Sequence, residues 1–247
     1  VGMRIEDRTR TFIIAMERTV VPENFSFRMT DEEYRVLEKI KNSIPVCYLA
    51  DHADFALGIV TGNNKKFLSA EKTEHSEMVL KGTDICKYHI NPAKQYLRFE
   101  PEQFQQVAPL EIYRAPEKLL YRFISNQLVV AYDDRQMLSL NSCNIVIPKI
   151  DGMQIKYILA ILNSSVSQFV YQKEFHSIKV LRAHMEHIPI PRVGKAIQNE
   201  IIAMTEPLIC GMGKEAAETC QKRLDCRIMD LFRLSAEEQW IIRHALH

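Results

Sequence analysis

Residues 57–68 have the sequence LGIVTGNNKKFL, in which two apolar runs flank a Gly-Asn-Asn-Lys-Lys segment. Glycine and asparagine favour turns, so the pattern predicts a strand that enters a hairpin turn. The tip presents backbone N–H groups, amide side chains and two lysines, which suit a polyanion. A plain hairpin explains the same residues, so the meaning of this segment depends on its neighbours along the chain.

The segments around this stretch predict a β-rich region over residues 46–150. Short apolar runs alternate there with Gly, Asn, Asp and Pro, as in ALGIVTG, VLKGTDI, KQYLRFE, EIYRA, NQLVVAYDD and CNIVIP. On the amino-terminal side, residues 11–21 are β-branched enough to form a strand. Thr30 and Glu33 then form a capping box that starts a helix ending before Pro45.

Helical periodicity takes over after this region. Apolar residues from Gln154 to Glu174 lie along one face and predict a single long helix. The sequence IPIPRV then predicts an extended strip and a linker, because its prolines cannot continue a helix. The last fifty residues predict two helices packed as a hairpin, and a capping box at Ser235 and Glu238 starts a terminal helix. The predicted fold class is α+β: a β-rich domain with a long helix, followed by a C-terminal helical hairpin or bundle.

The composition is that of a globular protein: 247 residues, 47% hydrophobic and 26% charged, enough to bury a sizeable core. No window approaches 18 consecutive apolar residues, and the charged start VGMRIEDRTR does not resemble a signal peptide, so we expect a cytoplasmic protein without membrane contact. The six cysteines include no CxxC pair, which favours reduced thiols and predicts no metal site. Because the chain begins with Val1, we expect it to be part of a longer protein.

Motifs for catalysis are missing from the sequence. It contains no glycine-rich nucleotide loop, Walker loop, GxSxG or HExxH, so we expect no catalytic residue and no cofactor here. Asp133 and Asp134 are adjacent, and adjacent strand residues point to opposite faces, so a turn neutralised by Arg135 explains them better than a metal pair.

Several polar and basic side chains suit DNA. Arg, Lys and Asn pair well with guanine and adenine edges, and residues 118–148 carry such residues among apolar positions. The stretch HSIKVLRAH, residues 176–184, offers His176, Lys179, Arg182 and His184 to phosphates. Taken alone, these residues are better explained by a solvated sheet surface and a solvated helix end or loop. The net charge of +1 argues against a strongly basic nucleic-acid binder, although a modest basic excess lies in the middle of the chain.

The order of these segments along the chain is the basis of a resemblance to a known family. LGIVTGNNKKFL, VLKGTDICKY, KLLYRFISNQLVVAYDD, LSLNSCNIVIP, KYILAILNSSVSQFVYQKEF and HIPIP succeed one another from about Asp51 to Arg192. This succession resembles the TaqI-like C-terminal specificity domain, the target-recognition domain of adenine-specific DNA methyltransferases and fused restriction-modification enzymes. LDCRIMDLFRLSAEEQWIIR is similar to the closing helical segment of the same enzymes.

The resemblance implies a catalytic methyltransferase domain before this chain, with an asparagine-proline-proline-aromatic motif and an S-adenosylmethionine site. Neither motif is present; the nearest string, NPAK at residues 91–94, lacks the second proline and the aromatic residue. Residues 1–45 are then the junction to the catalytic domain, 46–192 the recognition domain and 193–247 the helical region. The parent would be an adenine-specific methyltransferase of a bacterial restriction-modification or phage-defence system, with or without a fused endonuclease.

On this interpretation the chain binds double-stranded DNA and contacts the N-terminal methyltransferase domain of its own parent. The predicted DNA-contacting residues are Thr61, Gly62, Asn63, Asn64, Lys65, Lys66, Lys81, Lys118, Arg122, Arg135, Asn141, Lys179 and Arg182. An alternative is a protein-interaction scaffold without DNA contact, in which the lysines are only solvated surface. A hydrolase is a third alternative, for which the sequence shows no nucleophile and base.

Overall fold

A computed structural model of the chain describes residues 2–6, 11–15, 29–175 and 177–246. Strands β1 (Gly2–Glu6) and β2 (Thr11–Ala15) pair antiparallel, with Gly2 opposite Ala15. The strand predicted over residues 11–21 is therefore confirmed in its first half, and residues 16–21 lie outside the described residues. Helix α1 (Asp31–Asn42) confirms the predicted capping box, because Thr30 Oγ1 accepts from Glu33 N and Glu33 Oε2 accepts from Thr30 N.

The centre of the molecule is an antiparallel sheet in the order β4-β11-β8-β9. Its strands are β4 (Ala53–Ala56), β8 (Lys118–Arg122), β9 (Val130–Asp133) and β11 (Cys143–Pro148). Side chains alternate between the two faces. Leu119 and Val146 belong to a core shared with the helices, while Leu120 and Ile145 belong to a second core beneath a smaller sheet.

The smaller sheet has the order β10-β6-β7-β5. It consists of β5 (Leu68–Ser69), β6 (Glu77–Leu80), β7 (Tyr96–Leu97) and β10 (Leu138–Ser139). β10 runs parallel to β6, and the other pairs are antiparallel. The loops after β6 and β10 therefore leave the sheet at the same end.

The predicted single helix over residues 154–174 is two helices, α4 (Ile155–Asn163) and α5 (Ser165–Phe175). Ser164 between them is extended, with ψ 158°, which ends α4. Its hydroxyl accepts from Ser167 N and donates to Ile161 O, so this one side chain both ends α4 and caps the start of α5. The prediction was wrong because hydrophobic periodicity continues through the break, whereas the capping role of one serine depends on its surroundings.

The sequence IPIPRV is extended as predicted but is not an exposed linker. β12 (Ile190–Pro191) pairs antiparallel with β3 (Val46–Cys47), and both β12 residues are buried. The prolines are tolerated because this two-stranded sheet has only edge strands.

The C-terminal region is helical, as predicted. α7 (Lys195–Ile209) and α8 (Lys214–Leu231) pack as a hairpin, and α9 (Ala236–Ala245) starts at the predicted capping box of Ser235 and Glu238. The remaining helices are α2 (Asn64–Phe67), α3 (Leu110–Tyr113) and α6 (Arg182–Glu186), and short 3-10 turns cover Gly82–Asp84 and Pro101–Gln103. Within the described part of the chain, no helix is both long and apolar enough to cross a bilayer. The mixed α+β class is confirmed.

Candidate nucleic-acid interface

The segment 57–68 is not a hairpin, and the prediction of one was wrong. Ile59 forms a parallel bridge to Leu140, Val60 bridges to Gln106, and the chain then enters α2. Gly58 lies so close to its neighbours that a Cβ would stand 2.1 Å from Leu140 O, which accounts for the first glycine. The strand is thus held by residues distant in sequence, a contact that local turn chemistry does not reveal.

The asparagines of this loop serve its own structure. Asn63 Oδ1 accepts from Lys66 N at 3.2 Å and caps α2, while the buried Thr61 hydroxyl lies 2.6 Å from Asn64 Oδ1. Gly62 has φ +76°, in the left-handed region that favours glycine. The loop is therefore shaped by the residues that we predicted as DNA contacts.

Lys65 and Lys66 are the exposed cations of this loop. Lys66 Nζ lies 4.6 Å from the centroid of the Phe67 ring and 3.5 Å from Gln103 Oε1. The Phe67 ring packs edge-to-face on Phe104, which anchors α2 on the 3-10 segment. Both lysine side chains are exposed, and the packing of Phe67 fixes the position of the helix that carries them.

Three further predicted residues meet around Ser142. Its hydroxyl accepts from Gly82 N at 2.9 Å, and its carbonyl accepts from Phe123 N at 3.0 Å. These bonds hold the loop after β6, which begins at Lys81, against the end of β8 at Arg122 and the loop after β10 at Asn141. The sequence did not single out Ser142, because its role depends on two partners from distant segments.

A short two-stranded element extends from this cluster. Residues 123–125 run antiparallel to residues 178–180, with Ile124 opposite Lys179; we call this element the ribbon. Ser125 N donates to Ile178 O at 3.0 Å, and Val180 N donates to Phe123 O at 2.8 Å. Lys179 is exposed, and its Nζ lies 5.9 Å from the centroid of the Phe123 ring. The ribbon thereby brings Lys179 next to the Ser142 cluster.

The 57–68 loop joins the same surface at its start. Asn141 N donates to Ile59 O at 3.0 Å, two residues before Thr61. The predicted contacts from Thr61 to Lys66, together with Lys81, Arg122, Asn141 and Lys179, thus belong to segments that are hydrogen-bonded to one another.

The two arginines of this region already have protein partners. Arg122 is half-buried, its guanidinium donates to Ile85 O, and its buried Nε has no partner among the described residues. Arg182 is exposed; it pairs with Glu186 at 2.7 Å and lies over the Phe55 ring at 5.2 Å. A ligand phosphate would have to compete with Glu186 for Arg182.

The two histidines predicted as phosphate contacts differ. Burial lowers the pKa of His184, whose Nδ1 accepts from Leu181 N at 3.2 Å. His184 is therefore a neutral acceptor at pH 7 and does not supply positive charge to a phosphate. His176 lies outside the described residues.

Lys118 and Arg135 lie elsewhere. Lys118 pairs with Asp133 at the end of β8 opposite to Arg122. Lys118 is fully buried, with Nζ 2.6 Å from both Asp133 Oδ2 and Tyr113 O, so the prediction that it contacts DNA is wrong. Asp133 also accepts from Arg135 N and Met137 N. The partner that neutralises Asp133 is therefore Lys118 and not the side chain of Arg135, which is exposed at this far end.

The assembled surface is depleted of negative charge. Residues 118–127, 138–147 and 177–182 contain no Asp or Glu. The neighbouring Asp84 is buried, and its carboxylate accepts from Lys81 N at 2.9 Å. Lys81 and Lys179 therefore lie on a surface that suits an anion, whereas Arg122 and Arg182 already have protein partners.

Comparison with known proteins identifies part of the chain. Residues 77–190 match the family model described as the TaqI-like C-terminal specificity domain. This segment is therefore similar to the TaqI-like specificity domain. The match contains the Ser142 cluster and the ribbon, while the 57–68 loop precedes it. No curated protein is similar enough to the chain to count as a relative.

Solved structures resemble the chain at low sequence identity. The type IIL restriction-modification enzyme MmeI, solved in complex with DNA, has 11% identity and a TM-score of 0.52 over 77% of this chain and 34% of its own. A type I restriction-modification assembly has 14% identity and a TM-score of 0.44, covering 93% of this chain and 50% of its own. The HsdS subunit from Thermoanaerobacter tengcongensis has 14% identity and a TM-score of 0.42, covering 87% and 50%. The chain covers between a third and a half of the length of these proteins.

Proposed function

We propose that the chain binds duplex DNA and supplies site specificity to an adenine-N6 DNA methyltransferase. The observation that carries this proposal is the surface around Ser142, where the segments of Lys81, Arg122 and Lys179 are joined by hydrogen bonds and the neighbouring Asp84 carboxylate is buried. The match of residues 77–190 to the specificity-domain family supports it. Phosphate contacts would set the position on the duplex, and a few side chains would read base edges.

The chemistry would belong to a separate domain. S-adenosylmethionine and the flipped adenine would bind a methyltransferase domain that precedes residues 1–45 in the parent, while 46–192 would recognise DNA and 193–247 would support it. The parent would act in the bacterial cytoplasm as part of a restriction-modification or phage-defence system. The chain itself would clamp DNA without reacting with it.

Salt-dependent binding tests the proposal. Fluorescence anisotropy of the 247-residue chain with a labelled duplex of mixed sequence should show weak binding at low salt that weakens further as salt rises, because few phosphates are neutralised. Lys179→Ala should weaken binding to all duplexes and reduce the slope of log affinity against log salt by about one. Lys214→Ala, an exposed lysine at the start of α8, is the matched control and should change neither.

The outcomes separate DNA recognition from a protein scaffold. A chain that binds no duplex at high protein concentration and low salt contradicts the proposal and favours the scaffold. Equal losses for Lys179→Ala and Lys214→Ala would show that only general charge matters.

The 57–68 loop needs its own test. Lys65→Glu/Lys66→Glu should weaken duplex binding strongly, since two cations become anions at a surface hydrogen-bonded to Asn141. Circular dichroism should show an unchanged fold, because both side chains are exposed. Unchanged affinity in this variant would remove the loop from the interface and leave the Ser142 cluster as the binding surface.

A further inference from the structure

Two exposed isoleucines mark the ribbon. The side chain of Ile124 is 53% exposed and that of Ile178 is 71% exposed, although apolar residues of this size are usually buried. Neither is at a chain terminus, and both lie in segments whose backbones are hydrogen-bonded to each other. The ribbon therefore holds two apolar side chains in solvent at fixed positions.

The pairing of the ribbon places these side chains on opposite faces. Ile124 lies opposite Lys179 and shares its face, and Ile178, one residue earlier, points to the other face. A sheet edge normally buries one face against the core. Val180, 1% exposed, fixes one end of the ribbon to the core, while an apolar side chain is exposed on each of its faces.

The charges around the ribbon favour a nucleic acid over a protein groove. Lys179 lies within the ribbon and is exposed, and residues 118–127 and 177–182 contain no acidic residue. Arg182, two residues after the ribbon, is already paired with Glu186. A two-stranded ribbon fits the major groove of B-form DNA, which is about 12 Å wide. The apolar group that base edges present in that groove is the 5-methyl group of thymine.

We infer that Ile124 and Ile178 contact thymine methyl groups in the major groove and thereby contribute to site selection. This inference rests on the proposed function, and it assigns the specificity of the ribbon to apolar contact with thymine rather than to hydrogen bonds. Lys179 holds the ribbon in the groove through a phosphate. The bases that are read this way are thymines that face either side of the ribbon.

Replacement of thymine by deoxyuridine tests the inference, because it removes the methyl group and keeps every hydrogen-bonding group. The probe is a duplex enriched from a random library by the 247-residue chain, with its thymines replaced singly and together. The wild-type chain should bind the deoxyuridine duplex about fourfold more weakly per contacted thymine, the effect of one buried methyl group. Ile124→Ala/Ile178→Ala should bind the two duplexes equally.

Met212→Ala is the matched control, because Met212 is an exposed apolar residue between α7 and α8. It should keep the wild-type preference for thymine. Equal wild-type affinity for both duplexes overturns the inference and leaves the proposed function intact. A double isoleucine variant that retains the thymine preference has the same consequence. The exposed isoleucines would then belong to a protein contact. Failure to enrich or bind any duplex overturns the proposed function itself.

Discussion

Lys118 and Lys179 are both lysines in extended segments, but the structure gives them different surroundings. Lys118 is fully buried with its ammonium group 2.6 Å from the Asp133 carboxylate. Burial lowers the pKa of Lys118, and the nearby Asp133 charge partly offsets this change. Lys179 is exposed on the ribbon. The first lysine therefore stabilises the sheet, and the second is available to a ligand.

Removal of one partner from the buried pair should be costly. Lys118→Met leaves the Asp133 carboxylate buried without its cation, and we expect the free energy of unfolding to fall by about 3–5 kcal/mol. The double variant Lys118→Met/Asp133→Asn should recover part of this loss, because no buried charge remains. Urea unfolding followed by circular dichroism measures both; a loss below about 1 kcal/mol for the single variant would contradict the assignment of Lys118 as a structural residue.

At the scale of elements, the break between α4 and α5 brings two amide side chains to one edge of the central sheet. Asn163 Oδ1 accepts from Val130 N at 3.1 Å, and its Nδ2 donates to Val130 O at 2.8 Å. Gln168 makes the same pair of bonds with Leu128, at 2.9 and 3.0 Å. These amides satisfy backbone groups in place of a further strand at β9.

The amide contacts predict a localised loss of stability. Asn163→Ala leaves the buried N–H of Val130 without its partner, while Val130 O keeps the bond from Tyr88 N, and this should lower the free energy of unfolding by about 1–3 kcal/mol. Amide hydrogen exchange at Val130, in β9, should accelerate more than exchange in β8 and β11. Asn199→Ala is the control, since Asn199 accepts only an exposed bond from Gln154. Equal destabilisation by both variants would contradict this role of Asn163.

Elements with local signals were predictable from the sequence. The capping boxes at Thr30 and Ser235 place α1 and α9, since each depends on residues three positions apart. The break at Ser164 and the helix at Asn64–Phe67 were missed, because hydrophobic periodicity continues through the first and the asparagine that caps the second also favours turns.

The same distinction holds in the candidate site. Lys179 was predicted from its residue type and its neighbours, and the structure exposes it. Ser142 and the two isoleucines of the ribbon were not predicted, because a serine is ambiguous and isoleucine favours the core. Lys118 was misassigned because its partner Asp133 lies on another strand.

At the scale of the whole molecule, one hydrophobic core crosses the three proposed segments. It contains residues from α1, the central sheet, the α4–α5 pair and the C-terminal helices, among them Val36, Leu119, Tyr157, Ile201 and Ile242. Lys39 also pairs with Glu238 at 2.6 Å, which joins the beginning of the fold to its end. Residues 193–247 and residues 46–192 therefore stabilise each other.

This shared core predicts a single unfolding transition. Fluorescence of the lone Trp240, which stacks on His244 in α9, should change at the same urea concentration as the circular dichroism signal of the whole chain. A chain that ends at residue 192 should unfold at lower urea concentration or fail to fold, because it exposes the core face that contacts α7 and α8. An earlier transition in Trp240 fluorescence would show that the C-terminal helices unfold independently.

The pairing of β3 with β12 has a consequence for synthesis on the ribosome. Cys47 lies beside Ile190, 143 residues later, so the edge of β3 has no partner until most of the chain has been made. At about 5–20 residues per second, that wait lasts about 7–30 seconds. During this time we expect Val46 and Cys47 to be accessible to chaperones and to neighbouring nascent chains, and β3 can pair only after Ile190 and Pro191 have left the exit tunnel.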